Sequence, residues 1–158
     1  MYFFKIKPEN TFYKTHQKVC NIDPKAQWTI IHTEEGNICF VRSSIGQEHE
    51  EEIHPFKDGE EVYFFVRFNG IKRNNNFEYP LNEEELKSKV ASILEDSIDI
   101  LEMKVEKEHP IYMKEKNHKF YPWAVCVRSK LVNKTNFIAH INNGIGRSKR
   151  LGFGMIIT

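Results

Sequence analysis

The sequence is poor in cysteine: three residues in 158 (Cys20, Cys39 and Cys126), none in a Cys-x-x-Cys pair. Scattered and odd in number, they exclude a disulfide framework and a thiolate zinc site, and they suit a reducing compartment. Long apolar runs are lacking too. Nothing approaches the roughly 18–20 residues of a membrane helix, and the opening segment MYFFKIKPEN has no apolar core for a signal peptide. A cytoplasmic protein with no membrane partner is therefore expected. Net charge is also nearly absent, since 23 Lys and Arg face 22 Asp and Glu to leave +1. Taken whole, that balance argues against a polyanionic partner. Aromatics, by contrast, are plentiful: 12 Phe, 6 Tyr and 2 Trp make 13% of the chain, ample for a packed core and incompatible with disorder. The length suits one ordinary domain or two very small ones.

The near-neutral total hides a local absence. Residues 1–100 carry 12 basic and 18 acidic side chains, a balance of −6, whereas residues 101–158 carry 11 and 4, a balance of +7. No acidic residue follows Glu115. Such asymmetry can draw in a polyanion even when the molecule is neutral overall, although a biased surface would look the same.

Element by element, the chain reads as two similar halves. Tyr2–Lys7 is an aromatic, alternating strand stopped by Pro8. Asn10 or Thr11 can cap a helix over Phe12–Asn21, and Trp28–Thr33 with Asn37–Ser43 read as a hairpin around Glu34-Glu35-Gly36. The acidic stretch Gln47–His54 suits a short helix or loop, and Glu61–Phe68 is a β-branched and aromatic strand. Arg73-Asn74-Asn75-Asn76, polar and turn-prone, is the natural linker. Beyond it, Asn82 caps a helix over Glu83–Glu95 with Leu86, Val90, Ile93 and Leu94 at helical spacing. Strands follow at Ile100–Glu106 and Tyr121–Ser129 around a Lys-rich tip; Asn133 or Thr135 opens a helix to about Asn142, and Met155–Thr158 ends the chain as a strand. Each half approximates β-α-β-β-α-β. The expected fold class is α+β, with two tandem ferredoxin-like (RRM-like) domains, antiparallel in their sheets, spanning 1–73 and 77–158.

Four features carry candidate chemistry. The tail Asn143–Met155 holds Gly144, Gly146, Gly152 and Gly154 around Arg147, Ser148, Lys149 and Arg150. Glycines let backbone N–H groups approach a ligand, and the cations suit phosphate. The spacing is neither a P-loop nor a dinucleotide fingerprint, and a permissive turn with solvated cations is the plainer alternative. Tyr13 and His16 lie three apart on the first expected helix, so they share a face. Histidine exchanges a proton near neutral pH and tyrosine can act beside it, yet His16 also lies in line with Phe12 and Val19 and can simply edge the core. The tip Lys107–Lys119, with Lys114, Lys116 and Lys119, can enter a groove of structured RNA or be an ordinary soluble hairpin. His49 and His54 are five apart, about 140° round a helix, which fails the four-residue spacing of a zinc motif and favours a solvated acidic segment. No metal site is expected.

Three segments, taken in order, resemble the CasE family of CRISPR repeat-processing endoribonucleases, within the wider RAMP superfamily. Tyr13-Lys14-Thr15-His16-Gln17 resembles that family's Tyr-x-x-His-Gln motif; Gly59–Lys72 resembles its mid-chain motif, a Gly-acidic turn leading an aromatic strand; and Asn143–Met155 resembles its glycine-rich loop. The resemblance implies two ferredoxin-like domains and cofactor-free, metal-independent cleavage of a CRISPR repeat RNA beside its stem-loop, leaving a 2′,3′-cyclic phosphate. It implies His16 as the catalytic histidine, Tyr13 as its neighbour, and the glycine-rich loop with the basic second half as the RNA grip. Lys14 and Lys18 are candidates for the second cation by proximity alone. A multisubunit CRISPR surveillance complex is the implied partner. The helix continues Lys18-Val19-Cys20 where the family usually has an apolar pair including Trp, and the span from Ser43 to Lys57 is short for a second helix. These departures leave a non-cleaving RNA-binding subunit as the alternative.

Overall fold

A computed structural model describes residues 1–46 and 54–158. Apart from His54, the expected acidic helix or loop Gln47–His54, with the first histidine of the rejected zinc spacing, lies outside the described residues. Among those described, no helix is long and apolar enough to cross a membrane.

The chain opens with strand β1 (Tyr2–Ile6), helix α1 (Phe12–Ile22), and the hairpin β2 (Gln27–Thr33) and β3 (Gly36–Ser43). They form a three-stranded antiparallel sheet in the order β1-β3-β2. Of the two candidate caps, Thr11 is the one used: its side chain accepts from the Lys14 amide. At the other end of α1 the Asp23 carboxylate gathers Ser43 Oγ (2.7 Å), the Ser44 amide (3.1 Å) and the Lys25 amide (2.8 Å), which ties the helix end to β3. The helix packs Val19 onto Trp28, Ile30, Cys39 and Val41 of the sheet.

Next come β4 (Glu61–Asn69), β5 (Ile71–Asn74), β6 (Phe77–Pro80), α2 (Glu83–Leu94), β7 (Ile98–Lys107), β8 (Ile111–Met113), β9 (His118–Phe120), β10 (Pro122–Leu131), α3 (Lys134–Asn143) and β11 (Ile156–Ile157). The second sheet is four-stranded, in the order β11-β4-β10-β7, all antiparallel. This corrects the expected division at residues 73–77, because β4 belongs to the second sheet. The reason is burial. Val62, Phe64, Val66 and Phe68 alternate inward along β4 and pack in one cluster with Leu86, Val90 and Leu94 of α2 and Phe137 and Ile141 of α3. A strand with so large an apolar face needs two helices above it, and both are encoded after residue 82. The unit β4-α2-β7-β10-α3-β11 therefore supplies the β-α-β-β-α-β order by itself.

The expected linker is corrected as well. Arg73–Asn76 forms the tip of the β5–β6 hairpin, with Asn75 in the left-handed region at φ 54° and Leu81 N closing onto Gly70 O at 2.8 Å. Asparagine tolerates that conformation, so a polar run that reads as a linker folds as a turn. The helices beyond follow the sequence closely: α2 carries a full capping box between Asn82 and Glu85, and Asn133 caps α3 by accepting from the Asn136 amide.

The two sheets are joined in the interior. Arg42 of β3 is buried and donates to the carbonyls of Ile141 (3.0 Å) and Ile156 (3.2 Å). A third apolar cluster, Met113, Phe120 and Phe153 with Phe12, Tyr13, Ile111 and Leu151 against it, gathers side chains from the β8–β9 hairpin, the glycine-rich tail and α1. Three segments far apart in sequence meet there, and the candidate site lies beside them.

Candidate nucleic-acid interface and active site

Helix α1 buries Thr15 and Val19, which leaves Tyr13, His16, Gln17 and Cys20 as the adjoining stripe at spacings of three and four. These side chains, with Asn21 and Lys116, line a cleft of about 330 Å³. The His16 ring lies over Trp28, with centroids 6.2 Å apart and planes at 24°, and the Tyr13 ring is 6.5 Å away. Cys20 Sγ stands 3.5 Å from His16 Nδ1. The imidazole is thus held flat between a wall of indole and the next turn of its own helix, half-buried but open to the cleft.

Its proton affinity is lowered. Burial is the main cause, the Lys116 ammonium adds to it, and a hydrogen bond to the backbone of Arg150 works the other way. The net direction keeps His16 neutral at neutral pH, the state in which imidazole can accept a proton. One consequence is measurable. In Lys116→Gln, His16 should titrate at higher pH than in the wild type, because a positive neighbour that disfavoured the imidazolium is gone. An NMR titration of the His16 ring protons reads this directly, with Lys119→Gln as the control that leaves the midpoint in place. An unmoved midpoint in Lys116→Gln would remove Lys116 from the site.

The glycine-rich tail reaches the same place from the other side. Trp28 Nε1 donates to the Arg150 carbonyl at 3.0 Å, so the indole that backs His16 also fixes the loop. Gly146 (φ 74°) lies so close to the Phe68 ring that a Cβ would collide with it, and Gly144 (φ 67°) lies against the carbonyl of Gly154. Ser148 is itself left-handed at φ 62°, and its Oγ accepts from Asn69 Nδ2 at 3.1 Å. The same Asn69, buried at the end of β4, accepts the Tyr121 amide at 3.0 Å. One amide side chain thereby joins the glycine-rich loop to the base of the Lys-rich hairpin. Arg147 and Arg150 project from this frame exposed, and Lys149 half-buried.

No family model and no curated protein sequence matches the chain. Solved structures do. The CRISPR-associated protein Cas6e from Escherichia coli strain K-12 superposes with a TM-score of 0.84 at 20% identity, covering 99% of this chain and 98% of that one. The chain has the fold of Cas6e. Cse3 of Thermus thermophilus, bound to an RNA representing a pre-cleavage complex, superposes with a TM-score of 0.79 at 16% identity over 98% of this chain and 97% of its own. A chain of a CRISPR RNA-guided surveillance complex gives 0.76 at 16% identity, with 98% and 97% covered. The coverage runs from one end to the other, so the Cas6e fold accounts for both sheets.

Within that fold the residues singled out from the sequence separate into two groups. Tyr13, His16, Lys116 and the loop Gly144–Arg150 converge around α1 and Trp28. Lys14 and Lys18, one helical turn apart, do not join them: both charges act on Glu9, and Lys18 Nζ is held by Glu9 Oε1 (2.9 Å) and the Lys7 carbonyl (3.0 Å). Lys114 and Lys119 are exposed on the β8–β9 hairpin, Lys119 over the Tyr121 ring at 5.4 Å. Two residues to which the sequence reading gave no role prove central to the framework of the site. Trp28 had only strand alternation to announce it. Asn69 carried a clearer sign, as an amide ending a run of aromatic and β-branched residues just before Gly70.

Proposed function

We propose that the chain is a metal-independent CRISPR endoribonuclease that grips a repeat stem-loop and cuts beside it. The fold is read as a complete ferredoxin-like unit, β4 to β11, preceded by a shortened counterpart, β1 to β3 with α1. In the proposed reaction the ribose 2′-oxygen attacks the adjacent phosphorus and the bond from phosphorus to the 5′-oxygen breaks. Neutral His16 takes the 2′-hydroxyl proton, and the departing 5′-oxygen collects a proton in turn, in this reading from the Tyr13 hydroxyl. The products are a 2′,3′-cyclic phosphate and a 5′-hydroxyl. Lys116 is the cation that faces the extra negative charge on phosphorus, a stabilisation strongest in a partly water-excluded cleft. The exposed cations of the hairpin tip and the glycine-rich loop hold the duplex phosphates, as part of a larger CRISPR ribonucleoprotein.

The observation that carries this reading is the convergence of three separate segments: a histidine of lowered proton affinity and a tyrosine from α1 share one cleft with a lysine from the β8–β9 hairpin, and the cation-bearing loop is fixed beside it through Trp28. Its test is a single-turnover assay on a repeat hairpin with EDTA present, with product ends analysed for the cyclic phosphate. Cleavage that survives EDTA and yields that end is expected. Binding should weaken at every added salt step and collapse when Arg147, Lys149 and Arg150 are together changed to Gln, since each lost phosphate contact also reduces the salt slope by about 0.7–0.9. Tight, salt-sensitive binding with no product would instead identify a non-cleaving RNA-binding subunit.

A further inference from the structure

The β5–β6 hairpin has more surface chemistry than a turn requires. Its register pairs Lys72 with Tyr79 and Asn74 with Phe77, so these four side chains share one face. The two aromatics on it are unusually open, Phe77 67% exposed and Tyr79 44%. The opposite face is spent on the ion pair between Arg73 and Glu78 at 2.7 Å.

The hairpin is anchored rather than loose. Gly70 N donates to the Tyr121 carbonyl at 2.8 Å, and Lys89 Nζ of α2 donates to the Ile71 carbonyl at 2.7 Å. Lys72 bridges to Glu85, one turn before Lys89 on the same helix flank. Beside Lys89 stands Arg147 of the glycine-rich loop, close enough that burial and then its charge lower the lysine's proton affinity. A continuous line results: Arg147, Lys89, Lys72, Tyr79, Phe77. Among the described residues Glu85 is the carboxylate on it, and it is committed to Lys72 and to the Asn82 amide.

Two neighbouring cations with no carboxylate partner among the described residues, followed by two open aromatic faces two residues apart on a strand, match a single strand of nucleic acid. Such strands are held by cations along the backbone and by bases stacked on aromatic rings. We propose that this hairpin face binds an unpaired stretch of RNA adjoining the stem-loop, its phosphates on Arg147 and Lys89 and its bases stacked on Tyr79 and Phe77. The proposal rests on the stem-loop reading above, since it continues the grip of the same loop. A duplex cannot use the aromatics, because its bases are already stacked.

The test compares the full chain's affinity for a repeat hairpin with that for the same hairpin carrying an unpaired extension. Wild type should bind the extended RNA more tightly, and a fluorescent purine analogue in the extension should be quenched. Phe77→Ala and Tyr79→Ala should each lose roughly tenfold in affinity for the extended RNA, without quenching, while the bare hairpin binds as before. Because both rings are exposed, neither change should alter the circular dichroism spectrum or Tm. If the extension adds nothing in the wild type, or both variants bind it as the wild type does, the proposed strand site is wrong and the face serves a protein partner or none. If the bare hairpin fails to bind while a ring-dependent affinity for single strands persists, the stem-loop reading falls and the strand site stands.

Discussion

Changing His16 to alanine is expected to slow cleavage of a repeat hairpin by about 10²–10⁴-fold, the usual contribution of a positioned proton acceptor, with hairpin affinity unchanged. The separation of the two effects follows from the structure. His16 lies in the cleft with Tyr13, Gln17, Cys20 and Lys116, whereas the cations assigned to the grip project from the loop beyond Trp28 and from the tip of a separate hairpin. On the proposed mechanism, removing the imidazole takes away the acceptor of the 2′-hydroxyl proton but leaves Lys116 in the cleft, so a residual rate should remain. Stability should change little, because the ring is only half-buried and Trp28 Nε1 still holds the Arg150 carbonyl when the imidazole is gone. The pH profile adds a second readout. Since the proton affinity of His16 is lowered, the acidic limb of wild-type cleavage should fall below the ordinary histidine range of about 6.5, with the rate rising as the neutral form takes over. Single-turnover rates across pH, together with a filter-binding isotherm, decide the matter. Wild-type rates in His16→Ala would displace the catalytic assignment to another group, and loss of binding along with the rate would mean that His16 is part of the grip.

Much of this architecture was legible in the chain, and the parts that were not share one cause. Helices α2 and α3 stand where their caps place them, because Asn82 with Glu85 and Asn133 act on their own next three residues. The pairing of Tyr13 with His16 is equally local. The assignment of β4 was not local. Its alternation announces a strand with a large apolar face, but which helices cover it depends on loop closures across the chain, and α2 and α3 both come later. The charge pattern behaved in the same way. The +7 balance of residues 101–158 pointed to the basic half, but only the fold brings Lys116 to a histidine encoded a hundred residues earlier. Lys14 and Lys18, nearest to His16 in sequence, turn instead to Glu9, since a helix carries residues two apart to opposite sides. Proximity along the chain was a poor guide where helical phase decides, and good where capping does.

Gly154→Ala tests how far the Arg147–Arg150 segment depends on the closure of its loop. Gly154 sits at φ 78°, its amide donates to the Arg67 carbonyl at 2.8 Å, and its carbonyl accepts the Ile145 amide at 2.8 Å. A Cβ added there would fall inside contact distance of the Ile145 carbonyl, a backbone atom that cannot rotate away. Left-handed strain alone costs about 1–2 kcal/mol for a non-glycine residue, and the overpacking adds about 1–3 kcal/mol. Gly59→Ala separates the two contributions, for Gly59 is also left-handed at φ 87° but has nothing within 4 Å of the added carbon. Each kcal/mol shifts the Tm of a chain this size by about 2–4 °C. Gly154→Ala should therefore melt several degrees below Gly59→Ala. The functional difference should be larger. Relief of the clash requires the Ile145–Gly154 bridge to open, which carries Arg147, Lys149 and Arg150 away from Trp28 and Asn69, so hairpin binding should be lost at temperatures where the variant is still folded. Gly59→Ala should bind as the wild type does. Equal melting and equal binding in the two variants would show that the loop adapts to the extra carbon, and that its geometry is not what presents the cations to RNA.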